Sequence, residues 1–228
     1  MVAHTAAVFF DVDFTLIHPG PRFQGSGYRD SCARYGVQVD AGRFEAAVAG
    51  AADVLDTAGH VYDADLYLRY TQRIIELMGG TAPGLEAVAQ ELYDEWAQHH
   101  HFHLYDDTLE TLRTLAARGL RLGLISNSHR CLVSFQSHFA LDGLIATAVS
   151  SSKYGCMKPH PAIFRAALDA MGIEAEQAAM VGDSLTHDVH GARQIGMRGI
   201  LLARGPRPAP PMDDVEVIHS LRALTEIL

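Results

Sequence analysis

The chain of 228 residues is long enough for one large domain, or for a core domain with a smaller companion. Hydrophobic residues make up 48% of the chain and charged residues 20%, a balance that excludes a disordered or fibrous protein. The formal net charge of −9 argues against a nucleic-acid partner, and no stretch approaches the roughly 20 apolar residues that span a bilayer.

Short apolar runs that end in polar clusters predict the strands of a buried parallel sheet. In chain order these runs are residues 7–10, 120–125, 144–149, 178–181, 199–203 and 216–218. Three of them lead directly into Asp11-Val12-Asp13, Ser126-Asn127-Ser128 and Gly182-Asp183-Ser184. The carboxyl ends of these predicted strands therefore carry the polar side chains.

Helical patterns separate the later runs. Residues 107–118, 161–171 and 188–195 have apolar side chains at helical spacing, and a glycine follows each segment. Alternation of strand and helix from residue 104 onward predicts an α/β fold, a Rossmann-like parallel sheet with helices on both faces. Ligands of such sheets bind beyond the carboxyl ends of the strands.

Residues 18–103 contain no clear strand and are predicted to be helical. One apolar stripe runs from Leu66 through Tyr70 and Ile74 to Met78. A helical insert directly after the first strand predicts a helical-bundle cap domain at 18–103, with 1–17 and 104–228 forming the core domain. Residues 206–211 are predicted to be a proline-rich surface loop.

Asp11 and Asp13 are the first candidates for chemistry. In a strand, side chains two residues apart point to the same side, so both carboxylates are expected to face one pocket. A carboxylate is ionised at neutral pH and can attack phosphorus, and a neighbouring acid can donate a proton. A divalent cation and a lysine are needed to offset the repulsion between the nucleophile and a phosphate. Alone, the pair also fits a turn or a helix N-cap.

Three further segments carry candidate binding groups. Ser126 and Asn127 can donate hydrogen bonds to phosphate oxygens, and Lys158, fixed before the helix at 161–171, can neutralise a phosphoryl group. Asp183 ends a buried strand and Asp188 follows it, and magnesium prefers such oxygen ligands. Taken singly, the serine and asparagine also fit a helix N-cap, and the lysine fits a solvated surface.

The order of these motifs resembles the four motifs of the haloacid dehalogenase-like (HAD) hydrolase superfamily. The matching segments are Asp11-Val12-Asp13-Phe14-Thr15, Ser126-Asn127, Lys158-Pro159, and Gly182-Asp183 with Asp188. The helical insert also matches the subfamily that has its cap after the first motif. The resemblance covers residues 5–17 and 104–205, and it covers the cap by position and helical character only.

The resemblance implies roles for the first motif. Asp11 is expected to be the nucleophile and a metal ligand, and Asp13 the general acid and base, with its backbone carbonyl on the metal. Thr15 is expected to support the loop. Phe14 departs from the family pattern, in which glycine is usual, and its ring is expected to narrow the entrance to the site.

The resemblance also implies roles for the later motifs. Ser126, with the amide of Asn127, is expected to bind the phosphoryl group, and Lys158 to balance its charge. The implied cofactor is Mg²⁺, which Asp183 is expected to bind directly, while Asp188 lies close behind and holds a metal-bound water or Lys158. The expected catalytic residues are Asp11, Asp13, Thr15, Ser126 and Lys158, and the expected metal residues are Asp11, Asp13, Asp183 and Asp188.

These roles predict a Mg²⁺-dependent phosphomonoester hydrolase that acts through an aspartyl-phosphate intermediate. A 2-haloacid dehalogenase also attacks through an aspartate, but it needs neither magnesium nor an acid at position 13. A phosphomutase needs a cap that excludes water, and residues 18–103 do not reveal one. A catalytically silent binding relative is expected to lack at least one of Asp11, Asp13, Lys158 or Asp183, and this chain has them all.

Compartment and partners follow from the same features. Cys32, Cys131 and Cys156 are widely spaced and match no metal pattern, so they predict reduced thiols in a cytoplasmic protein. The expected partner is a small phosphorylated metabolite, with no nucleic acid and no membrane. The sequence is compatible with a monomer or a homodimer.

Overall fold

The chain divides into two compact units. A computed structural model describes residues 5–56, 59–81, 83–205 and 214–228, so the predicted loop at 206–211 lies outside the described residues. The first unit contains Met1–His18 and Leu104–Leu228, and the second unit contains Pro19–His103. No helix in the described part of the chain is both long and apolar enough to cross a membrane.

The first unit is built on a six-stranded parallel sheet. The described strands of the chain are β1 (Ala7–Phe10), β2 (Ile17–Pro19), β3 (Phe102–Leu104), β4 (Arg121–Ser126), β5 (Ile145–Ser150), β6 (Ala178–Gly182), β7 (Arg198–Leu202) and β8 (Glu216–Ile218). The sheet has the order β5-β4-β1-β6-β7-β8, and every pairing in it is parallel. All six predicted strands are confirmed to within one residue at either end.

The helices cover both faces of this sheet, as predicted. The described α-helices are α1 (Gly25–Arg34), α2 (Phe44–Asp56), α3 (Ala64–Leu77), α4 (Leu85–Trp96), α5 (Thr108–Ala117), α6 (Leu132–His138), α7 (Ser151–Tyr154), α8 (Pro161–Met171), α9 (Gly191–Arg193) and α10 (Leu224–Ile227). The helix predicted at 161–171 is α8, with the predicted ends.

One hydrophobic core shows why the strands are apolar along their whole length. Ile163, Phe164 and Ala167 of α8 pack with Phe9 of β1 and Met180 of β6, and each of these residues is 0% exposed. Burial of a large apolar side chain contributes roughly 1.5–3 kcal/mol, so a strand covered by helices keeps apolar residues at consecutive positions. This core holds β1 and β6 side by side and so fixes where their carboxyl ends lie.

The second unit contains α1 to α4. Leu66, Ile74 and Met78 of the predicted apolar stripe are buried, and α3 packs against both α2 and α4. The prediction of no strand within 18–103 is wrong at its ends, because β2 and β3 pair as a separate two-stranded sheet. Strands of three residues are too short to show a periodic pattern, and their pairing depends on residues far apart in sequence.

The predicted helix at 188–195 also differs from the structure. Residues Leu185–His190 form a π-helical turn, in which the amide of Val189 donates to the carbonyl of Ser184, and α9 follows it. The hydroxyl of Ser184 accepts from the amide of His187 and caps this turn. Such wide turns are frequent at functional sites, and this one directly follows β6.

Candidate active site

Neighbouring strands bring the predicted motifs to one edge of the sheet. Because β4, β1 and β6 are adjacent and parallel, the segments that follow them start at the same edge. Ser126 is the last residue of β4, and the segments that follow the three strands contain Asn127, Asp11 with Asp13, and Asp183. Lys158, just before α8, reaches the same place, since its ammonium contacts Asp11 and the carbonyl of Ile125.

Lys158 is buried with all of its donors engaged. Its Nζ lies 2.6 Å from Oδ1 of Asp11, 2.6 Å from Oδ1 of Asp188 and 2.8 Å from the carbonyl oxygen of Ile125. A lysine ammonium has three donors, so these contacts use them fully. Burial alone would lower the pKa of Lys158, but the carboxylates of Asp11 and Asp188 outweigh it and raise the pKa. The side chain is therefore a fixed positive charge beside Asp11.

Three acids form a compact group of oxygen donors. One carboxylate oxygen from each of Asp11, Asp183 and Asp188 lies within 4.8 Å of the others, and this is the only such group of His, Cys, Asp or Glu among the described residues. Oδ1 of Asp188 accepts from Lys158, and its Oδ2 accepts from the amide of Ser184 at 3.0 Å. Asp188 therefore links the lysine to the turn after β6.

Burial, with a smaller contribution from the repulsion between the acids, raises the pKa values of Asp11 and Asp183. Burial raises the pKa of Asp11 to about 6, although the attraction of Lys158 opposes the shift. Asp183 is an exposed residue by its surface area, yet the protein around its carboxyl raises the pKa to about 8, and repulsion from Asp11 and Asp188 adds to the effect. A cation near these carboxylates would favour their ionised forms.

Asp13 lies beyond the strand and has a partner that the sequence motifs do not include. β1 ends at Phe10, so the expectation that Asp11 and Asp13 share one side of a strand is wrong, and Asp13 forms only an isolated bridge with Ile17. Oδ1 of Asp13 accepts from Nη2 of Arg130 at 2.8 Å. Burial raises the pKa of Asp13, with the charge of Arg130 opposing the shift and that of Asp11 adding to it. Asp13 and Asp11 therefore interact electrostatically.

The loop after β4 contacts the backbone of Lys158. The side chain of Asn127 donates to the carbonyl of Lys158 at 2.9 Å, and its Oδ1 accepts from the amide of Lys158 at 2.8 Å. Ser126 is 1% exposed, and its hydroxyl donates to Oγ of Ser128 at 3.0 Å. The side-chain amide of Asn127 therefore positions Lys158, while the backbone amide is the group that the family resemblance assigns to phosphate.

The loop after β1 explains the family preference for glycine at position 14. Phe14 has a φ of 63°, a left-handed conformation that costs a residue with a side chain roughly 1–2 kcal/mol. Its ring is 45% exposed. Thr15 is fully buried, and its hydroxyl donates to Oδ1 of Asp183 at 3.4 Å, so it links this loop to the segment after β6.

Two supporting residues escaped the sequence reasoning. Arg130 was missed because a single arginine in a polar loop gives no periodic signal of burial. Arg204 was missed for a different reason: Nη2 donates both to the carbonyl of Thr15 and to Asp107, contacts that join residues distant in sequence. The order of the motifs could not have revealed either residue.

Comparison with known proteins agrees with the motif assignment. The sequence model of the family described as haloacid dehalogenase-like hydrolase matches residues 5–196. The glyceraldehyde 3-phosphate phosphatase of Methanothermobacter thermautotrophicus is 30% identical over 238 residues, which cover 97% of this chain and 99% of that protein. A solved structure of a 2-haloacid dehalogenase from Pseudomonas syringae is 26% identical, with a TM-score of 0.62 over 98% of this chain and 97% of that one.

A mammalian relative matches over a shorter region. The haloacid dehalogenase-like hydrolase domain-containing protein 3 of Mus musculus is 32% identical over 148 residues, which cover 64% of this chain. This chain spans 59% of the length of that relative. The family model, by contrast, covers the whole first motif and all the later ones. The chain therefore belongs to the haloacid dehalogenase-like hydrolase family.

Proposed function

We propose that this hydrolase is a Mg²⁺-dependent phosphatase that acts on small phosphorylated metabolites through an aspartyl-phosphate on Asp11. The observation that carries the proposal is the 2.6 Å contact between Nζ of Lys158 and Oδ1 of Asp11, beside the carboxylates of Asp183 and Asp188. A carboxylate that faces a fixed cation can accept an anionic substrate. The phosphatase name of the archaeal relative supports the same substrate class.

The acidic group fits magnesium by its donor chemistry. Magnesium takes oxygen ligands and needs only a few carboxylates from the protein, and Asp11, Asp183 and Asp188 offer such oxygens within 4.8 Å of one another. We assign Asp11 and Asp183 as direct ligands together with the backbone carbonyl of Asp13, while Asp188 completes the group and holds Lys158. When bound, the ion neutralises phosphate charge and polarises a phosphoryl oxygen.

Two carboxylates divide the covalent chemistry. An oxygen of Asp11 attacks phosphorus, the bond between phosphorus and the ester oxygen breaks, and Asp13 gives that oxygen a proton, so that an alcohol leaves. Water then attacks the phosphorus, Asp13 takes a proton from the water, and the bond to Asp11 breaks to release inorganic phosphate. General acid–base catalysis of this kind contributes roughly a hundredfold to ten-thousandfold in rate.

The remaining motif residues bind and orient the phosphoryl group. Lys158, held by Asn127 and Asp188, keeps a positive charge beside the phosphorus. The hydroxyl of Ser126 and the backbone amide of Asn127 donate to phosphoryl oxygens. Thr15 supports the first loop through its contact with Asp183. We further propose that the helical unit Pro19–His103 serves as a cap domain that selects the substrate, and that the enzyme is cytoplasmic, which the three free cysteines support.

A dehalogenase is the second candidate, because a solved dehalogenase resembles this chain. Attack on the carbon of a 2-haloacid leaves a halide, which needs no proton, and it needs no magnesium. Asp13 and the acid group around Asp183 would then have no chemical use. Their presence favours the phosphatase.

Phosphate release from a panel of metabolites tests the proposal. The panel contains glyceraldehyde 3-phosphate, phosphoglycolate, phosphoserine, a nucleoside monophosphate and 4-nitrophenyl phosphate, each with Mg²⁺ or with EDTA. We expect Mg²⁺-dependent turnover, a phosphoryl group on the peptide that contains Asp11 after acid quenching, and a loss of at least about a hundredfold in Asp11→Asn. Halide release from a 2-haloacid in EDTA would favour the dehalogenase instead.

A matched variant controls for the loss of one negative charge. Asp169→Asn removes an exposed acid near the end of α8 in the same unit and is expected to keep the activity of the wild type. If Asp11→Asn and Asp169→Asn were equally active, Asp11 would not be the nucleophile.

A further inference from the structure

Arg130, in the first unit, has a charged side chain that is fully buried. It lies in the loop after β4, just before α6, and its side-chain exposure is 0%. A guanidinium stays protonated in proteins, so its burial requires an opposite charge close by. Asp13 provides that charge, because Nη2 of Arg130 donates to Oδ1 of Asp13 at 2.8 Å.

The two partners differ in their access to solvent. The Asp13 side chain keeps 17% of its surface exposed, whereas Arg130 keeps none. A phosphate ester that approaches from solvent therefore reaches the carboxyl of Asp13 without touching the guanidinium. Arg130 can therefore act on the reaction through the carboxyl of Asp13 that it contacts.

A carboxyl group that transfers protons needs one defined orientation. The terminal torsion of an aspartate is broad, so an unsupported carboxyl can turn either oxygen toward the substrate. Arg130 has only donors and cannot accept a proton, so the oxygen that it contacts is disfavoured as the site of protonation. Since Oδ1 of Asp13 accepts this charge-assisted bond, Oδ2 is the oxygen that can carry the proton.

We propose that Arg130 is a positioning residue that holds Oδ1 of Asp13, so that Oδ2 gives the proton to the ester oxygen and later takes it from water. This inference rests on the proposed phosphatase function, in which Asp13 is the general acid and base. It adds a residue that the family motifs of this chain do not include.

The loop that contains Arg130 is itself held in place. The carbonyl of Ser128 accepts from the amide of Ser152 at 3.3 Å and from the hydroxyl of Ser151 at 3.5 Å, and both serines lie in α7. The same loop begins directly after Ser126, the last residue of β4, which is proposed to bind the phosphoryl group. One segment therefore sets the positions of the phosphoryl site and of the proton donor relative to each other.

The dependence of activity on the leaving group tests the proposal. kcat/KM reports the step that breaks the ester bond, and a 2,4-dinitrophenolate leaves without a proton whereas an alkoxide needs one. We expect Arg130→Met to lower kcat/KM roughly a hundredfold on glycerol 3-phosphate and less than about tenfold on 2,4-dinitrophenyl phosphate. Asp13→Asn is expected to show the same contrast, and the double variant to lose little more than Asp13→Asn alone.

A matched variant separates positioning from a general loss of stability. Arg198→Met removes another arginine–carboxylate pair of the same unit, since Arg198 contacts Glu216 across β7 and β8. It is expected to change kcat/KM by less than about threefold, and equally for both substrates. An equal loss on both substrates in Arg130→Met, or a double variant in which the two losses multiply, would overturn the proposal.

A second substitution keeps the test decisive if Arg130→Met does not fold, as checked by thermal unfolding. Arg130→Lys keeps the positive charge but not the planar donor geometry, so Asp13 is held less firmly. We expect a smaller loss than in Arg130→Met, again greater for glycerol 3-phosphate than for the dinitrophenyl ester. Equal losses on the two substrates in Arg130→Lys would also refute the positioning role.

The wild-type protein and Asp13→Asn distinguish the two proposals. If the wild type releases no phosphate and forms no phosphoryl-Asp11, the proposed function fails. If the wild type is active, and the loss of kcat/KM depends on the leaving group in Asp13→Asn but not in Arg130→Met, only the role of Arg130 fails.

Discussion

Burial and the positive charge of Lys158 shift the pKa of Asp11 in opposite directions, and the resulting pKa suits a nucleophile. Burial raises its pKa to about 6, while Lys158 favours the ionised form and stays charged itself. The carboxylate is therefore largely ionised at neutral pH although it is only 7% exposed. A buried anion loses little solvent when it attacks, which strengthens its electrostatic interactions with a phosphoryl group.

Gly182 shows how one small residue sets the geometry of this charged cluster. A Cβ atom on Gly182 would lie 2.1 Å from Oδ2 and 2.2 Å from Cγ of Asp188, well inside contact distance. Asp188 is 1% exposed and cannot move into solvent. Any side chain at position 182 must therefore displace the carboxylate that holds Lys158.

We expect Gly182→Ala to lower kcat at least roughly tenfold and to destabilise the fold by about 1–3 kcal/mol, since overpacking and a small misplacement of charged groups have such effects. Steady-state kinetics and urea unfolding measure the two changes. The control is Gly59→Ala, because a Cβ at Gly59 meets no atom within 4 Å. Wild-type kinetics in Gly182→Ala would show that Asp188 does not need its observed position.

At the scale of elements, the loops of the first unit are joined by a buried ionic junction before α5. Asp107 accepts from Arg204, from the hydroxyl of Ser220 at 2.7 Å and from the amide of Leu221 at 2.8 Å. Arg204 also donates to the carbonyl of Thr15 at 3.0 Å. Burial alone would raise the pKa of Asp107, but these hydrogen bonds outweigh it and keep the pKa below its ordinary value. The junction therefore connects the first motif to the exit of β7 and to the C-terminal segment.

Asp107→Asn is expected to lower the free energy of unfolding by roughly 2–4 kcal/mol, because it leaves the half-buried guanidinium of Arg204 without its counter-charge and the polar groups that contact Asp107 without an anionic acceptor. Urea unfolding at neutral pH measures this loss. Asp106→Asn, which changes the exposed neighbouring acid, is expected to stay within about 0.5 kcal/mol of the wild type. A similar stability in both variants would contradict the importance of the junction.

At the scale of the whole molecule, the acid group couples metal binding to stability. Folding raises the pKa values of Asp11 to about 6 and of Asp183 to about 8, from an ordinary value of 3.8. The folded state without metal thus binds protons more tightly than the unfolded state does. The stability from these protons is present below the unfolded pKa and is lost as the pH rises through the folded values.

In EDTA, we expect the melting temperature to fall as the pH rises from about 4 to about 8, whereas the stabilisation by Mg²⁺ should grow over the same range, because the ion replaces those protons. Thermal unfolding with and without Mg²⁺ measures both trends. Asp183→Asn is expected to make the fall of the melting temperature with pH in EDTA less steep, and to remove most of the stabilisation by Mg²⁺. A stabilisation by Mg²⁺ that is the same at every pH, or that survives in Asp183→Asn, would show that these acids do not hold the ion.

The sequence was sufficient to predict the strands and helices that are determined by interactions between residues close together in the chain. The six core strands and α8 were predicted because burial between two helical layers requires unbroken apolar runs, and an amphipathic helix repeats its apolar face every three to four residues. The π-helical turn after β6 was not predicted, because hydrogen bonds of Ser184 determine it rather than periodicity.

The sequence by itself determined which residues lie at the carboxyl ends of the strands, and hence that Asp11 and Asp183 are brought together, while the family resemblance implied that Lys158 joins them. Only the tertiary structure decided what each one contacts: Lys158 between Asp11 and Asp188, and Asp13 against a buried Arg130. The physical reason is the distance along the chain over which each kind of interaction acts. Strand and helix propensities act between near neighbours in the chain, whereas these ion pairs join residues as many as 147 positions apart, which only the packed sheet places within a hydrogen bond.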